Sequence, residues 1–122
     1  MKFATWTFRV AGVVGLLVTI PLLFGESVMG VRQPEFYYGF VFLNICWQIA
    51  YVVVSLDPVR YRPVVLPAIL AKGSGAATLI WLFLQGRISG QWVPAAATDA
   101  AFSILFIIAY WATRRMLPGQ PA

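Results

Sequence analysis

The sequence contains no histidine and a single cysteine, Cys46, among its 122 residues. The absence of histidine excludes His-ligated haem, His-containing zinc or copper sites, and catalysis that depends on an imidazole. A lone cysteine excludes an internal disulfide and a cysteine-rich metal cluster. The acidic residues are also few, and they are Glu26, Glu35, Asp57 and Asp99. We therefore expect neither an enzyme nor a metal site, and no cofactor is evident.

Charged residues of both signs are scarce, at 11% of the chain, whereas hydrophobic residues make up 61% and the mean hydropathy is +0.81. Soluble domains are typically about 45–50% apolar and about 25% charged, so this chain lacks the polar residues that a water-facing surface needs. Its length fits one domain. The composition predicts an integral membrane protein with a single transmembrane domain over residues 1–122.

The apolar residues fall in four segments, at about 8–25, 36–56, 64–86 and 93–113. A helix of about 20 residues crosses a hydrocarbon core of about 30 Å, whereas transmembrane strands are about 10 residues long and alternate in polarity. The first segment resembles a signal peptide, but no small-residue cleavage site follows it, so we expect a retained span. Short loops make consecutive helices antiparallel neighbours. The prediction is an all-α, up-down four-helix transmembrane bundle.

The basic residues cluster on one predicted side of the membrane. The first and third loops hold only Arg32 and Arg87, while the N-terminal segment, the second loop with the start of the third helix, and the C-terminal segment hold the other seven. By the positive-inside rule, this bias predicts a multi-pass membrane protein with both termini cytoplasmic. Scattered basic residues also argue against a nucleic-acid partner. We expect five basic residues to contact lipid headgroups: Arg60, Arg62, Lys72, Arg114 and Arg115.

Polar residues within the spans are the candidates for function, because lipid offers them no partner. Asn44 and Gln48 are four residues apart on the second helix, and Asp99 and Ser103 are four apart on the fourth, so each pair shares a helix face. Asp99 is the only carboxylate clearly within a span. We expect it to bond to Asn44 or Gln48, or to pair with Arg87. These residues either hold helices together or line a polar cavity.

Lys72 lies about 12 Å into the third helix from the predicted cytoplasmic side, at 1.5 Å per residue. A lysine at this depth can extend its ammonium to the headgroups. Because Asp99 lies below the opposite membrane face, we do not expect a Lys72–Asp99 pair.

The loop sequence DPVRYRP at 57–63, with WQ at 47–48 before it and LQGR at 84–87 after it, resembles small bacterial four-helix membrane proteins of the DoxX-like group. The resemblance covers most of residues 36–115 and rests on loop and packing features. It implies a bacterial inner membrane and a four-helix bundle. DoxX relatives are linked to quinone or thiosulfate redox systems as partner subunits, so the resemblance also implies membrane-protein partners.

Three functions fit the sequence. The leading one is a small non-enzymatic accessory or scaffolding subunit of a larger membrane complex, which packs against lipid and against other subunits or a second copy. The second is a small transporter or ligand-binding bundle that uses Asp99. The third is a redox subunit in which Trp47, Tyr51 and Trp81 line an apolar pocket for a quinone or pigment. A bound lipid, quinone or pigment is the candidate small molecule.

Overall fold

The computed structural model describes residues 3–117, and all the regular secondary structure within them is helical. Lys2, which contributes to the predicted basic N-terminal segment, lies outside the described residues. The described residues form five α-helices, namely α1 (Phe3–Thr19), α2 (Glu26–Met29), α3 (Pro34–Leu56), α4 (Arg62–Leu84) and α5 (Val93–Ala112). Two 3₁₀ helices, Ile20–Phe24 and Gly90–Trp92, extend the end of α1 and precede α5.

Four stretches are long and apolar enough to cross a membrane: Phe3–Phe24, Pro34–Leu56, Arg62–Leu84 and Gly90–Ala112. They agree with the predicted segments within a few residues, so the prediction of an all-α chain with four apolar helices is confirmed. The largest difference is at the start of the first span, where the helix begins at Phe3, five residues before the predicted start at about residue 8. This architecture indicates a multi-pass membrane protein.

Proline and glycine set the helix ends. Pro34 and Glu35 occupy the first turn of α3, where a missing N–H costs little and the helix dipole favours an acid. Pro21 lies where α1 tightens into a 3₁₀ helix. After α4, Gly86 adopts a left-handed conformation with φ of 71°. Its N–H bonds to Phe83 and the next N–H bonds to the carbonyl of residue 82, which is a Schellman motif.

The long helices pack as two antiparallel pairs. In the first pair, Phe8 near the start of α1 lies against Tyr51 near the end of α3, with ring centroids 6.5 Å apart. At the opposite end of α1, Thr19 accepts a hydrogen bond from Asn44. The start of α1 thus contacts the end of α3, and the end of α1 contacts the middle of α3, so the two helices run in opposite directions.

The second pair consists of α4 and α5, which are also antiparallel. Arg62 at the start of α4 bonds to Tyr110 near the end of α5, and Lys72 in the middle of α4 bonds to Asp99. Two helix pairs therefore build the molecule.

A buried core joins the two pairs at the end that holds residues 3, 117 and the loop between α3 and α4. Phe106 of α5 stacks on Phe8 of α1 at 4.4 Å and lies edge-on to Tyr51 of α3 at 5.0 Å. The other members of this core are small or branched apolar residues, among them Ala4, Ala11, Val54, Val65, Ala68 and Ala109. At the opposite end, the two pairs enclose a cavity.

Candidate functional site

The cavity has a volume of about 810 Å³ and is lined by residues of α1, α3, α4 and α5. Pockets of about 300–1,000 Å³ hold small-molecule ligands in proteins. Some lining residues, such as Val18 and Phe40, are also more than 60% exposed, so the cavity communicates with the outside of the molecule. Its wall is mainly apolar and aromatic, with Trp47, Trp92 and Phe102 among the largest side chains.

An ion pair lies on the cavity wall, near the middle of two helices. The Nζ of Lys72 is 3.2 Å from Oδ1 of Asp99. The lysine side chain is only 10% exposed, whereas the aspartate side chain is 31% exposed. Gly75 of α4 faces the second carboxylate oxygen, since a Cβ atom at this position would be 3.5 Å from Oδ2. The carboxylate is therefore the more accessible partner of the pair.

The ion pair shows that two expectations from the sequence are wrong, namely that Lys72 contacts lipid headgroups and that it does not pair with Asp99. Lys72 does not reach toward cytoplasmic headgroups, because it is buried and paired with Asp99. The depths expected from opposite membrane faces differ, but the Arg62–Tyr110 contact fixes a register of α4 and α5 in which the two side chains meet. The alternative partner, Arg87, is exposed and makes no ion pair among residues 3–117. The antiparallel register of α4 and α5 brings Lys72 and Asp99 to one level.

Two aromatic rings surround the lysine ammonium. The Nζ of Lys72 lies 5.5 Å from the ring of Tyr51 and 5.7 Å from the ring of Phe102. Aromatic faces attract a cation and exclude water from it. Asp99 is consequently the group that compensates the charge of Lys72, and a buried charge without such a partner is strongly destabilising.

The α3 and α1 side of the cavity carries a chain of hydrogen-bonded polar side chains. Gln48 donates from Nε2 to Oδ1 of Asn44 at 3.0 Å, and Asn44 donates from Nδ2 to Oγ1 of Thr19 at 3.3 Å. Gln48 is 1% exposed, and its amide oxygen Oε1 accepts no hydrogen bond within the part of the chain that the structure describes. That oxygen lies against Gly15, where a Cβ atom would overlap it.

The structure places three of the four residues of the predicted polar cluster on the cavity wall and the fourth, Ser103, outside it. Asn44, Gln48 and Asp99 line the cavity. Asn44 and Gln48 bond to each other, and neither makes the predicted hydrogen bond to Asp99, whose partner is Lys72. Ser103 instead donates to the carbonyl of Ile69 at 3.3 Å, which ties α5 to α4. Ser103 therefore holds helices together, while the other three residues contribute to a cavity.

The other four residues predicted to contact headgroups lie at the end of the molecule with the core. Arg62 donates from Nε and Nη2 to the carbonyl of Tyr110 at 3.1 and 2.9 Å, and its guanidinium carbon is 3.7 Å from the centre of the Tyr110 ring. Arg62 thus clamps α4 to the end of α5. Arg60, Arg114 and Arg115 are exposed. Contact of these arginines with headgroups stays a prediction.

Sequence reasoning did not connect two glycines with the site. Gly15 and Gly75 carry no chemistry of their own, but they border Gln48 and Asp99. A glycine one turn from an ionisable residue within an apolar helix is the signal that could have indicated Gly75. Of the aromatic residues predicted to line a pocket, Trp47 and Tyr51 do so, whereas Trp81 is 63% exposed and is not part of the cavity wall.

No group of three or more histidine, cysteine, aspartate or glutamate side chains within residues 3–117 could hold a metal ion. In comparisons with known proteins, no family model, no curated protein and no solved structure matches the chain. The resemblance to the DoxX-like group therefore stays a prediction. The structure itself defines the class: a helical, multi-pass membrane protein whose four long helices surround a cavity with a partly buried ion pair on its wall.

Proposed function

We propose that this protein is a non-enzymatic, membrane-embedded ligand-binding bundle that holds a small amphipathic molecule in the cavity between its two helix pairs. The observation that carries the proposal is the Lys72–Asp99 ion pair on the wall of an apolar cavity of about 810 Å³. Ligand sites typically combine apolar walls, which bind the body of a ligand, with a few polar groups that orient it. The cavity has both features.

A purely structural bundle gives a poor account of this arrangement. Protein interiors are close-packed, and a bundle that served only as a scaffold would gain stability from aliphatic side chains in the space that the cavity occupies. Replacing a buried ion pair by apolar residues of similar volume is often neutral or stabilising. An open cavity and an ion pair with a buried ammonium together therefore favour a binding role over a packing role.

Orientation in the membrane decides the side from which the ligand enters. We propose that both chain ends lie at the cytoplasmic face of the inner membrane, as the positive-inside rule predicts. The cavity wall includes Leu22, Gln91 and Trp92, at the end of the bundle opposite to the chain ends. In this orientation the ligand enters from the non-cytoplasmic side or from the outer leaflet.

A cavity-filling variant with a matched control tests the proposal. Ala95 and Ala97 are both exposed residues of α5, but only Ala95 lines the cavity. We expect organic extracts of the purified protein and of Ala97→Trp to contain the same amphipathic molecule, and Ala95→Trp to retain at least tenfold less of it. Equal amounts in the two tryptophan variants, or nothing bound to the unaltered protein, would overturn the proposal.

The accessory-subunit and redox hypotheses are the alternatives. Every long helix exposes large apolar side chains, such as Leu17, Leu43, Leu70 and Ile104, and such faces suit lipid and partner helices alike. Stoichiometric co-purification of another membrane protein, unaffected by Ala95→Trp, would favour the accessory subunit. A quinone or pigment in the extract would favour the redox subunit.

A further inference from the structure

The donors and acceptors on the cavity wall around Asn44, Gln48 and Lys72 are unequally used. The amide donors are already engaged, because Gln48 donates to Asn44 and Asn44 donates to Thr19. The ammonium of Lys72 donates to Asp99 and otherwise faces the rings of Tyr51 and Phe102. The donors of these side chains therefore offer little to a ligand.

Two acceptors, in contrast, are unused within residues 3–117. Oε1 of Gln48 has no hydrogen-bond partner there, although the residue is only 1% exposed. Oδ2 of Asp99 takes no part in the ion pair, which is made by Oδ1, and it faces the small residue Gly75. An unsatisfied buried acceptor is costly, and a donor supplied by a ligand removes that cost.

The net charge of this region also restricts the ligand. Lys72 and Asp99 compensate each other, and among residues 3–117 no other ionisable side chain lines the cavity apart from Tyr51. A charged head group would bring an uncompensated charge into an apolar environment, which is strongly unfavourable. An anionic head group would in addition face two acceptor oxygens without contributing a donor.

From these observations we infer that the cavity binds an uncharged amphiphile whose head group is a hydroxyl, with the hydroxyl donating to Asp99 or Gln48 and the apolar tail directed toward Leu22, Phe40 and Trp92. The inference rests on the proposed ligand-binding function and adds the chemical class and direction of the ligand. A hydroxyl fits because it is small, neutral and a donor.

A series of probes with one tail and four head groups tests the inference on the full-length protein in a mild detergent. Radiolabelled farnesol is bound and then displaced by unlabelled farnesol, farnesyl methyl ether, farnesoic acid or farnesylamine. We expect the ether, which has the same tail but no donor, to compete about tenfold more weakly than farnesol. The loss of one hydrogen bond to a buried acceptor changes the affinity by about this factor. The acid and the amine should also compete at least tenfold more weakly.

A variant pair identifies the acceptor. Gln48→Met keeps a side chain of similar length without an acceptor oxygen, and we expect it to reduce the preference for farnesol over the ether to about threefold, because Oδ2 of Asp99 remains. Gln85→Met makes the same change at an exposed residue outside the cavity and should keep the tenfold preference. The probe series on the unaltered protein needs no variant, so a poorly folded Gln48→Met leaves the main test intact.

The outcomes separate this inference from the proposed function. Equal competition by the ether, stronger competition by the acid or amine, or no binding of any probe would overturn the hydroxyl head group. Each of these results leaves the proposed function standing if Ala95→Trp still loses the molecule extracted from the native protein. If Ala95→Trp and Ala97→Trp retain that molecule equally, the proposed function fails, whatever the probes do.

Discussion

Lys72 and Asp99 place two opposite charges inside a bundle whose interior is otherwise apolar or uncharged. Their contact at 3.2 Å is accompanied by two aromatic rings around the ammonium and by a glycine beside the carboxylate. Removing both charges from water costs several kcal/mol per ion, and mutual attraction offsets this cost only when the pair is intact. Each charge is therefore tolerated only because the other is present, and removing one side chain leaves the other charge unpaired.

Asp99→Asn tests this dependence. The substitution keeps the shape of the side chain but leaves Lys72 charged and without its counterion, so we expect the free energy of unfolding to fall by about 3 kcal/mol, the lower part of the range for broken buried pairs because Asp99 is partly exposed. Unfolding in mixed micelles of a mild detergent and dodecyl sulfate measures it. The matched control is the double variant Lys72→Met, Asp99→Leu, which should unfold close to the native protein. An unchanged stability of Asp99→Asn would contradict the mutual dependence.

The sequence identified Asp99, Asn44 and Gln48 as residues worth attention, because polar groups at membrane depth stand out against an apolar background. The partner of Asp99 could not be predicted in the same way. Pairing depends on the relative register of α4 and α5 and on the reach of a flexible lysine, and neither is contained in the spacing along one helix. Ser103 shares a helix face with Asp99, and both bond to α4, Ser103 to the carbonyl of Ile69 and Asp99 to the ammonium of Lys72.

At the scale of the helix, α1 approaches α3 closely through Gly15. Small residues at membrane helix interfaces allow such contacts, and here the missing side chain provides the space for the amide of Gln48. Helix boundaries were predictable within a few residues because proline and glycine mark them. Which helices pair most tightly was not predictable, since long helices that are apolar on most faces carry little information about direction.

Gly15→Ala should displace the Gln48 amide and weaken the contact between α1 and α3. Because the new methyl group overlaps a buried side chain, we expect a loss of about 1–3 kcal/mol in the free energy of unfolding. The same micelle titration measures it. Gly39→Ala is the control within α3, where a Cβ atom would meet nothing within 4 Å, and alanine should stabilise the helix by about 0.5–1 kcal/mol. Similar effects of the two substitutions would show that Gly15 has no special packing role.

At the scale of the whole molecule, the protein is closely packed at one end and hollow at the other. The rings of Phe8, Tyr51 and Phe106 hold the two helix pairs together near the chain ends, and the cavity separates the pairs beyond them. Composition and segment length predicted four apolar helices, because a membrane sets both. The cavity could not be predicted, since its volume is what remains after side chains from four separate helices have packed.

The orientation of this hollow end is the last prediction. In a Cys46→Ala background, Ser89→Cys lies in the exposed loop before α5, beside the cavity end, and Leu117→Cys lies near the chain ends, where the native residue is 67% exposed. We expect a membrane-impermeant maleimide to label Ser89→Cys on intact spheroplasts and Leu117→Cys only after permeabilisation, because the basic residues favour the cytoplasmic side. Cys46→Ala alone, which lacks a thiol, should remain unlabelled. The reverse pattern would contradict the predicted orientation and would direct the cavity toward the cytoplasm, so that a ligand held at Asp99 would enter from inside the cell.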